Sequence, residues 1–259
     1  MKPTPENYFQ KEIRSKYISN SQIKAFCGTP ARSGCQAKAM AELRGEWKTE
    51  PSKDMLIGSY VDAHFECSLS KFKLLTPEIF KKDGNLLSEF KHAETIIKVA
   101  EADELFMKFM DGEKQVILTG KINELDFIGK VDVLHPHIIV DLKVMKDFER
   151  IWCEGFGKLN FIDAWGISEQ MAIYQELEYQ RTGIKKECYI AALSKEKHPD
   201  KAVIYLPQEI LDDALLSVKI KSETVKRIKY EGQEPERCEK CDYCKSTKKL
   251  NNITSIYDL

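Results

Sequence analysis

The stretch that most limits how this chain can fold runs from Gly129 to Val144 and reads G-K-V-D-V-L-H-P-H-I-I-V-D-L-K-V. Two apolar, β-branched runs, Val131 to Leu134 and Ile138 to Val144, flank a break at His135-Pro136-His137, which is the pattern of a β-hairpin. With the turn centred between Pro136 and His137, Asp132 stands opposite Asp141. Directly opposed residues share a face with Cβ atoms roughly 5 Å apart. Lys143, two residues beyond Asp141, points to the same face. Pro136 does not take the positive φ of a tight primed turn, so a longer loop with a shifted register stays open. An acid-x-Lys triplet alone says little, because Glu46-Trp47-Lys48 and Glu89-Phe90-Lys91 also match in helix-like surroundings. What sets Asp141-Leu142-Lys143 apart is that its charges interrupt an apolar strand, where acids and lysines are rarely buried without a partner or a task. An ordinary edge strand with a solvated face is the alternative.

A chain of 259 residues can bury one large core, or a core with a small appendage. Its 40 basic and 41 acidic residues leave a formal net charge of −1, which argues against a basic nucleic-acid coat but leaves room for a local basic groove. There is no run of about 18 apolar residues, so no membrane partner is expected. Residues 1–16 are polar and lack the apolar stretch of a secretory signal. Eight cysteines spread over such a chain fit a reducing, cytoplasmic location better than a disulfide framework.

In chain order, Ser19 opens a short capped helix at 22–26, and a further helix is expected over 37–47. The segment 55–69 reads as another helix. Its Ile57, Tyr60, Val61, His64 and Phe65 fall at three- and four-residue spacings, so His64 shares their inward face. A histidine so placed is more often a core residue than a ligand. One long helix is expected over 88–110, followed by strands at 115–119, 122–127, 129–134 and 138–144, which together suggest a mixed α/β core. The glycine- and aromatic-rich segment 148–160 suits either a nucleotide-facing loop or a packed cover on the sheet. On a helix at 162–181, Gln170 and Tyr174 are neighbours on one face. Strands at 185–193 and 202–206 and an amphipathic helix from Pro207 to about Tyr230 follow.

Cys238, Cys241 and Cys244 form a C-x2-C-x2-C cluster. Three thiolates so spaced can wrap one metal centre, zinc or iron–sulfur, that needs a fourth ligand from Cys27, Cys35, Cys67, Cys153, Cys188 or a histidine. The alternative is an accidental cluster in a tail.

Together these segments resemble the PD-(D/E)XK nuclease superfamily in its RecB-like and lambda-exonuclease-like branch, most of all the phage and prophage exonucleases related to RecE (exonuclease VIII). The motifs that carry the likeness are G-S-Y-V-D-A-H-F-E (58–66), G-K-V-D (129–132), D-L-K (141–143) and Q-M-A-I-Y (170–174). They span most of the chain, from about 17 to 244. Val131 stands where the superfamily's name has proline.

The resemblance implies an α/β fold with a restriction-endonuclease-like core, a mixed β-sheet flanked by helices. It implies one nuclease domain over 1–259, with its core at about 17–232 and a cysteine-rich segment and tail at 233–259. His64, Asp132, Asp141 and the Leu142 carbonyl would hold Mg²⁺ or Mn²⁺. Lys143 would be the catalytic lysine, and Gln170 and Tyr174 would orient it and the nucleic-acid backbone. Some RecB-like relatives carry a 4Fe-4S cluster on one upstream cysteine and three C-terminal ones, which here would be Cys35 with Cys238, Cys241 and Cys244. The compact spacing keeps Zn²⁺ open. The implied activity is a Mg²⁺-dependent 5′→3′ exonuclease on linear double-stranded DNA in phage recombination, with a ring-like homo-oligomer and a single-strand annealing protein as partners. The rival readings are an iron–sulfur single-strand exo- or endonuclease and a non-catalytic DNA-binding scaffold.

Overall fold

The apolar runs assemble into a five-stranded sheet with helices on both faces. This computed structural model describes residues 2–250, 253 and 255–258, so part of the tail expected over 233–259 lies outside the described residues. The N-terminal half is helical: α1 (Lys11–Lys16), α2 (Asn20–Cys27), α3 (Gln36–Arg44), α4 (Lys53–Phe65), α5 (Leu69–Leu75), α6 (His92–Glu101) and α7 (Glu104–Met110). Strands β1 (Glu113–Ile122), β2 (Leu125–Leu134) and β3 (Ile138–Met145) follow, then a small hairpin of β4 (Ile151–Cys153) and β5 (Gly157–Leu159). Helices α8 (Phe161–Ala164) and α9 (Ile167–Thr182) lead to β6 (Glu187–Ser194) and β7 (Lys201–Leu206), and α10 (Gln208–Lys229) and α11 (Asp242–Ser246) complete the order.

The sheet order is β1-β2-β3-β6-β7, antiparallel except for the parallel pair β3–β6. That parallel pair needs a long crossover, and α9 supplies it. Both faces of the sheet are covered. Val131, Leu134, Ile139 and Ile190 pack with Met171, Leu177, Val218 and Val225 of α9 and α10. Val133, Val140, Leu142 and Leu193 pack with Val61, Phe65, Ile96 and Phe106 of α4, α6 and α7. A strand buried on both faces reads as a near-continuous apolar run, which explains 138–144. Each fully buried side chain such as Phe106 or Ile139 contributes about 1.5–3 kcal/mol.

Three expectations change. The helix expected over 88–110 breaks near Ala102, because Asp103 caps a new helix by accepting from the Phe106 N–H at 2.9 Å. The strands expected at 122–127 and 129–134 are one strand. The chain reverses instead at Asn123 and Glu124, whose φ values of 53° and 63° are those of a primed hairpin turn. Segment 148–160 holds the β4–β5 hairpin, and a stack of Phe148 on Phe161 with centroids 5.5 Å apart packs beside it.

Candidate active site and cysteine cluster

The β2–β3 register pairs Val133 with Val140 and Leu134 with Ile139, one step before Asp132 and Asp141. The ladder ends there. Instead of continuing the main-chain pairing, the Leu142 N–H donates to Asp132 Oδ2 at 3.0 Å. The β1–β2 ladder also skips a step, from Lys114–Val133 to Val116–Val131. Gln115, in the gap, has φ 56°. That left-handed geometry costs a non-glycine residue on the order of 1–3 kcal/mol. It lets the Gln115 amide donate to Asp132 Oδ1 at 3.3 Å.

Asp141 is fully buried on β3. Its Oδ1 accepts from Gln170 Nε2 at 2.8 Å, and its Oδ2 is ion-paired with Lys143 Nζ. Gln170 lies in the first turns of α9. It also donates to the Tyr174 hydroxyl at 2.8 Å and takes a longer contact from Asn20 Nδ2 at 3.4 Å. Gly129 makes this packing possible, because a Cβ at that position would lie 2.7 Å from two ring carbons of Tyr174.

The histidine stands elsewhere. His64 Nε2 is 2.8 Å from Glu101 Oε1, and His64 lines a separate open cavity of about 610 Å³ with Glu101 and Lys108. A helix turns about 100° per residue, so the position two residues from Asp62 or Glu66 faces away from both. Asp62 on α4 and Glu66, which caps its C-terminal end, are the residues that come to Asp132. With Asp132, Phe65, Met110 and Leu142 they line a cavity of about 10 Å³, room for one water-sized sphere. Glu66 also pairs with Lys130 at 3.8 Å. The sequence signal for this pair was the four-residue spacing of the two acids inside the 58–66 motif.

Burial, and then the charge of Asp141, raise Asp132 well above the ordinary carboxylate range. Burial likewise lifts Asp62 to about 7, with Lys143 opposing and Glu66 and Asp141 adding to the rise. For Lys143, burial works against the charged form, but Asp141 and Asp132 outweigh it and its proton is held more tightly than usual. Carboxylates made costly in this way around a cavity of single-ion size suit a small hard cation.

The same cost predicts a trade between stability and function. The folded chain holds a proton on Asp62 up to about pH 7, whereas the ordinary value is 3.8. Ion-free stability therefore falls as pH rises between those values, and the full penalty applies at pH 8. Asp62→Asn removes it. In thermal melts at pH 8 with chelator, this variant is expected to gain about 5 °C or more, since ~1 kcal/mol moves a chain of this size by about 2–4 °C. A lower melting temperature would contradict the electrostatic account.

The second constellation joins the two ends of the chain. The Sγ atoms of Cys35, Cys238, Cys241 and Cys244 all lie within 4.8 Å of one another. Cys35 and Cys238 are 3.6 and 3.9 Å from Cys244. Main-chain N–H groups of Lys38, Cys241 and Cys244 point at the sulfurs of Cys35, Cys238 and Cys241 at 3.5, 3.3 and 3.5 Å. Burial opposes ionisation at Cys238, yet N–H groups of Lys240 and Cys241 bring its thiol down to about 6. Cys27 is not part of the set; its thiol meets the Lys221 carbonyl at 3.7 Å. Trp47 packs edge-on against Tyr243 at 5.6 Å, and Arg237 donates to the Cys244 carbonyl at 2.6 Å.

A mixed sheet with helices on both faces, and acids and a lysine where two central strands part, defines a restriction-endonuclease-like fold of the PD-(D/E)XK class. The chain belongs to the family described as "PDDEXK-like domain of unknown function (DUF3799)", whose model matches residues 19–247. It is also similar to the crystal structure of a protein of Eubacterium rectale that is provisionally named an exonuclease. The TM-score is 0.95 and the identity 41%, covering 100% of this chain and 98% of that one. No curated protein matches the chain. Among the described residues no helix is long and apolar enough to cross a membrane.

Proposed function

We propose that this protein is a metal-dependent nuclease that hydrolyses DNA phosphodiester bonds, acting as an exonuclease on linear duplex. The observation that carries the reading is the grouping of Asp132, Asp141 and Lys143 at the parting of β2 and β3, in a chain of the PDDEXK-like family. Asp132 with Asp62 and Glu66 would hold Mg²⁺, or Mn²⁺ in its place, and Leu142 borders the same site. When bound, such an ion supplies Lewis acidity and offsets charge on the phosphoryl oxygens.

The protein's own groups do the rest. Asp141, fixed by Gln170, holds Lys143 in its protonated form, which suits it to neutralise the phosphate as water adds and a P–O bond breaks. That favours an electrostatic role over a general-base role for Lys143. Tyr174, raised well above its ordinary value by burial and then by Asp141, stays a neutral hydroxyl that fixes Gln170. The finer assignment, 5′→3′ degradation in phage-type recombination by a ring-like oligomer with a single-strand annealing partner, rests on the likeness to RecE-type exonucleases.

For the cysteines we infer zinc. Four thiolates around Zn²⁺ at ~2.3 Å stand about 3.8 Å apart along the edges of a tetrahedron, close to the 3.6 and 3.9 Å separations here. A cubane cluster sets four irons and four sulfides between the thiolates and needs them farther apart.

Digestion of end-labelled linear duplex, single strands and covalently closed circles, with Mg²⁺ and with chelator, tests the reading. Loss of linear duplex only with the ion, and survival of the circle, is expected. Linearised circles would make the protein an endonuclease, and no cutting of any DNA would favour a scaffold.

A further inference from the structure

Lys24 is a cation without a counter-ion beside the site. It lies on α2 one turn beyond Asn20, whose amide reaches Gln170, and residues four apart share a helix face. Across from it is the start of α9. A Cβ at Gly166 would be 3.7 Å from Lys24 Cε and 3.6 Å from Glu169 Oε2. Of the Glu169 carboxylate, Oε1 accepts from Ser217 Oγ at 2.8 Å and from Lys221 Nζ at 2.5 Å, while the buried Oε2 has no hydrogen-bond partner among the described residues. Asp141 is taken by Lys143. Among the described residues no carboxylate lies within ion-pairing distance of Lys24.

Lys24 is half-buried and keeps some contact with solvent. Burial, and then the charges of Lys143 and Lys221 against those of Asp141 and Glu169, lower its proton affinity to about 8. A half-buried ammonium with no partner is costly, and an incoming anion would supply the missing charge.

We propose that Lys24 is a phosphate-positioning residue, whose ammonium binds a backbone phosphate of the strand being cut, next to the scissile one. The proposal rests on the nuclease reading and adds to it a residue of α2, outside the β2–β3 motifs. Lys221, ion-paired with Glu169, backs the same wall.

The test is binding of a short linear duplex in chelator over a salt series, for wild type, Lys24→Met, Lys24→Gln and Lys24→Arg, with thermal melts of each. Wild-type cleavage in Mg²⁺ runs alongside. Loss of one phosphate contact makes the slope of log K against log salt shallower by about 0.9. Lys24→Met and Lys24→Gln are expected to show that change and to bind about tenfold more weakly at low salt. Lys24→Arg is expected to restore both. In Mg²⁺, Lys24→Gln should raise KM more than it lowers kcat. Two variants guard against a packing defect in either one, and the Arg variant distinguishes lost charge from lost fold. Wild-type slope and affinity in a folded Lys24→Gln, with wild type cutting DNA, would overturn the Lys24 inference alone. Wild type failing to cut any DNA would overturn the nuclease reading beneath it.

Discussion

Lys143→Ala is expected to cut linear duplex DNA about 10²–10³-fold more slowly than wild type in Mg²⁺, the usual loss when one preorganised charge is removed from a phosphoryl or acyl transition state. The loss should appear in kcat, because a lysine held by a buried Asp141 meets the phosphate where charge develops. Lys143→Arg should recover little. Arginine brings a planar fork rather than a compact ammonium, and that fork does not reproduce the contacts of Lys143 Nζ with Asp141 and the Leu142 carbonyl. The substitution to alanine also leaves Asp141 buried without its counter-charge, and breaking a buried pair in this way costs about 3–5 kcal/mol unless the acid takes a proton. Melting of Lys143→Ala should therefore fall at pH 8 and recover toward acid pH. Cleavage within a few-fold of wild type would remove Lys143 from the chemistry.

Cys35→Ser is expected to release the cysteine-bound zinc, read by elemental analysis as a fall from about one ion per chain, and to lower the melting temperature by about 10–20 °C. The size follows from topology. Cys35 precedes α3 and Cys238 precedes α11, so the clasp closes a loop of about 200 residues. A covalent cross-link of that span is worth about 5 kcal/mol, and ~1 kcal/mol moves a chain of this size by about 2–4 °C. Trp47 against Tyr243 and Arg237 on the Cys244 carbonyl would loosen with it. An absorbance band in the visible from anaerobically purified wild type would replace zinc by an iron–sulfur cluster. Unchanged metal content and melting in Cys35→Ser would remove the clasp altogether.

The hairpin was legible because two strands that pair about one turn leave a single register that matches their apolar pattern; Pro136 shifted nothing, and Val133 pairs with Val140 and Leu134 with Ile139 about a turn centred between Pro136 and His137. The choice of Cys35 over Cys27 was not fixed by spacing, and it follows from Cys35 standing just ahead of α3 while Cys27 ends α2. Helix α4 misled. Ile57, Tyr60, Val61, Ala63 and Phe65 are all buried, so the helix has no single inward face, and an apolar periodicity that places His64 inward says nothing about which polar residue meets the sheet. The four-residue spacing of Asp62 and Glu66 was the better guide. Gln115 could not be read at all, since nothing in its surroundings announces a left-handed glutamine in a strand; only the structure sets its amide on Asp132. Lys24 could not be singled out either, since only the packing of α2 beside the start of α9 sets it near Gly166 and Glu169.

The central claim is that the carboxylates of Asp62, Glu66 and Asp132 hold the ion on which cleavage depends, with Lys143 acting beside it. Mn²⁺ titration followed by electron paramagnetic resonance, on wild type, Lys143→Ala and Asp132→Asn, with cleavage of linear duplex measured on the same samples, tests it most directly. Mn²⁺ prefers oxygen donors and so leaves the thiolates aside. Lys143→Ala should bind the ion at least as tightly as wild type, a neighbouring positive charge being gone, and still fail to cut. Asp132→Asn should neither bind nor cut. An Asp132→Asn protein that binds Mn²⁺ and degrades linear duplex like wild type would contradict the account.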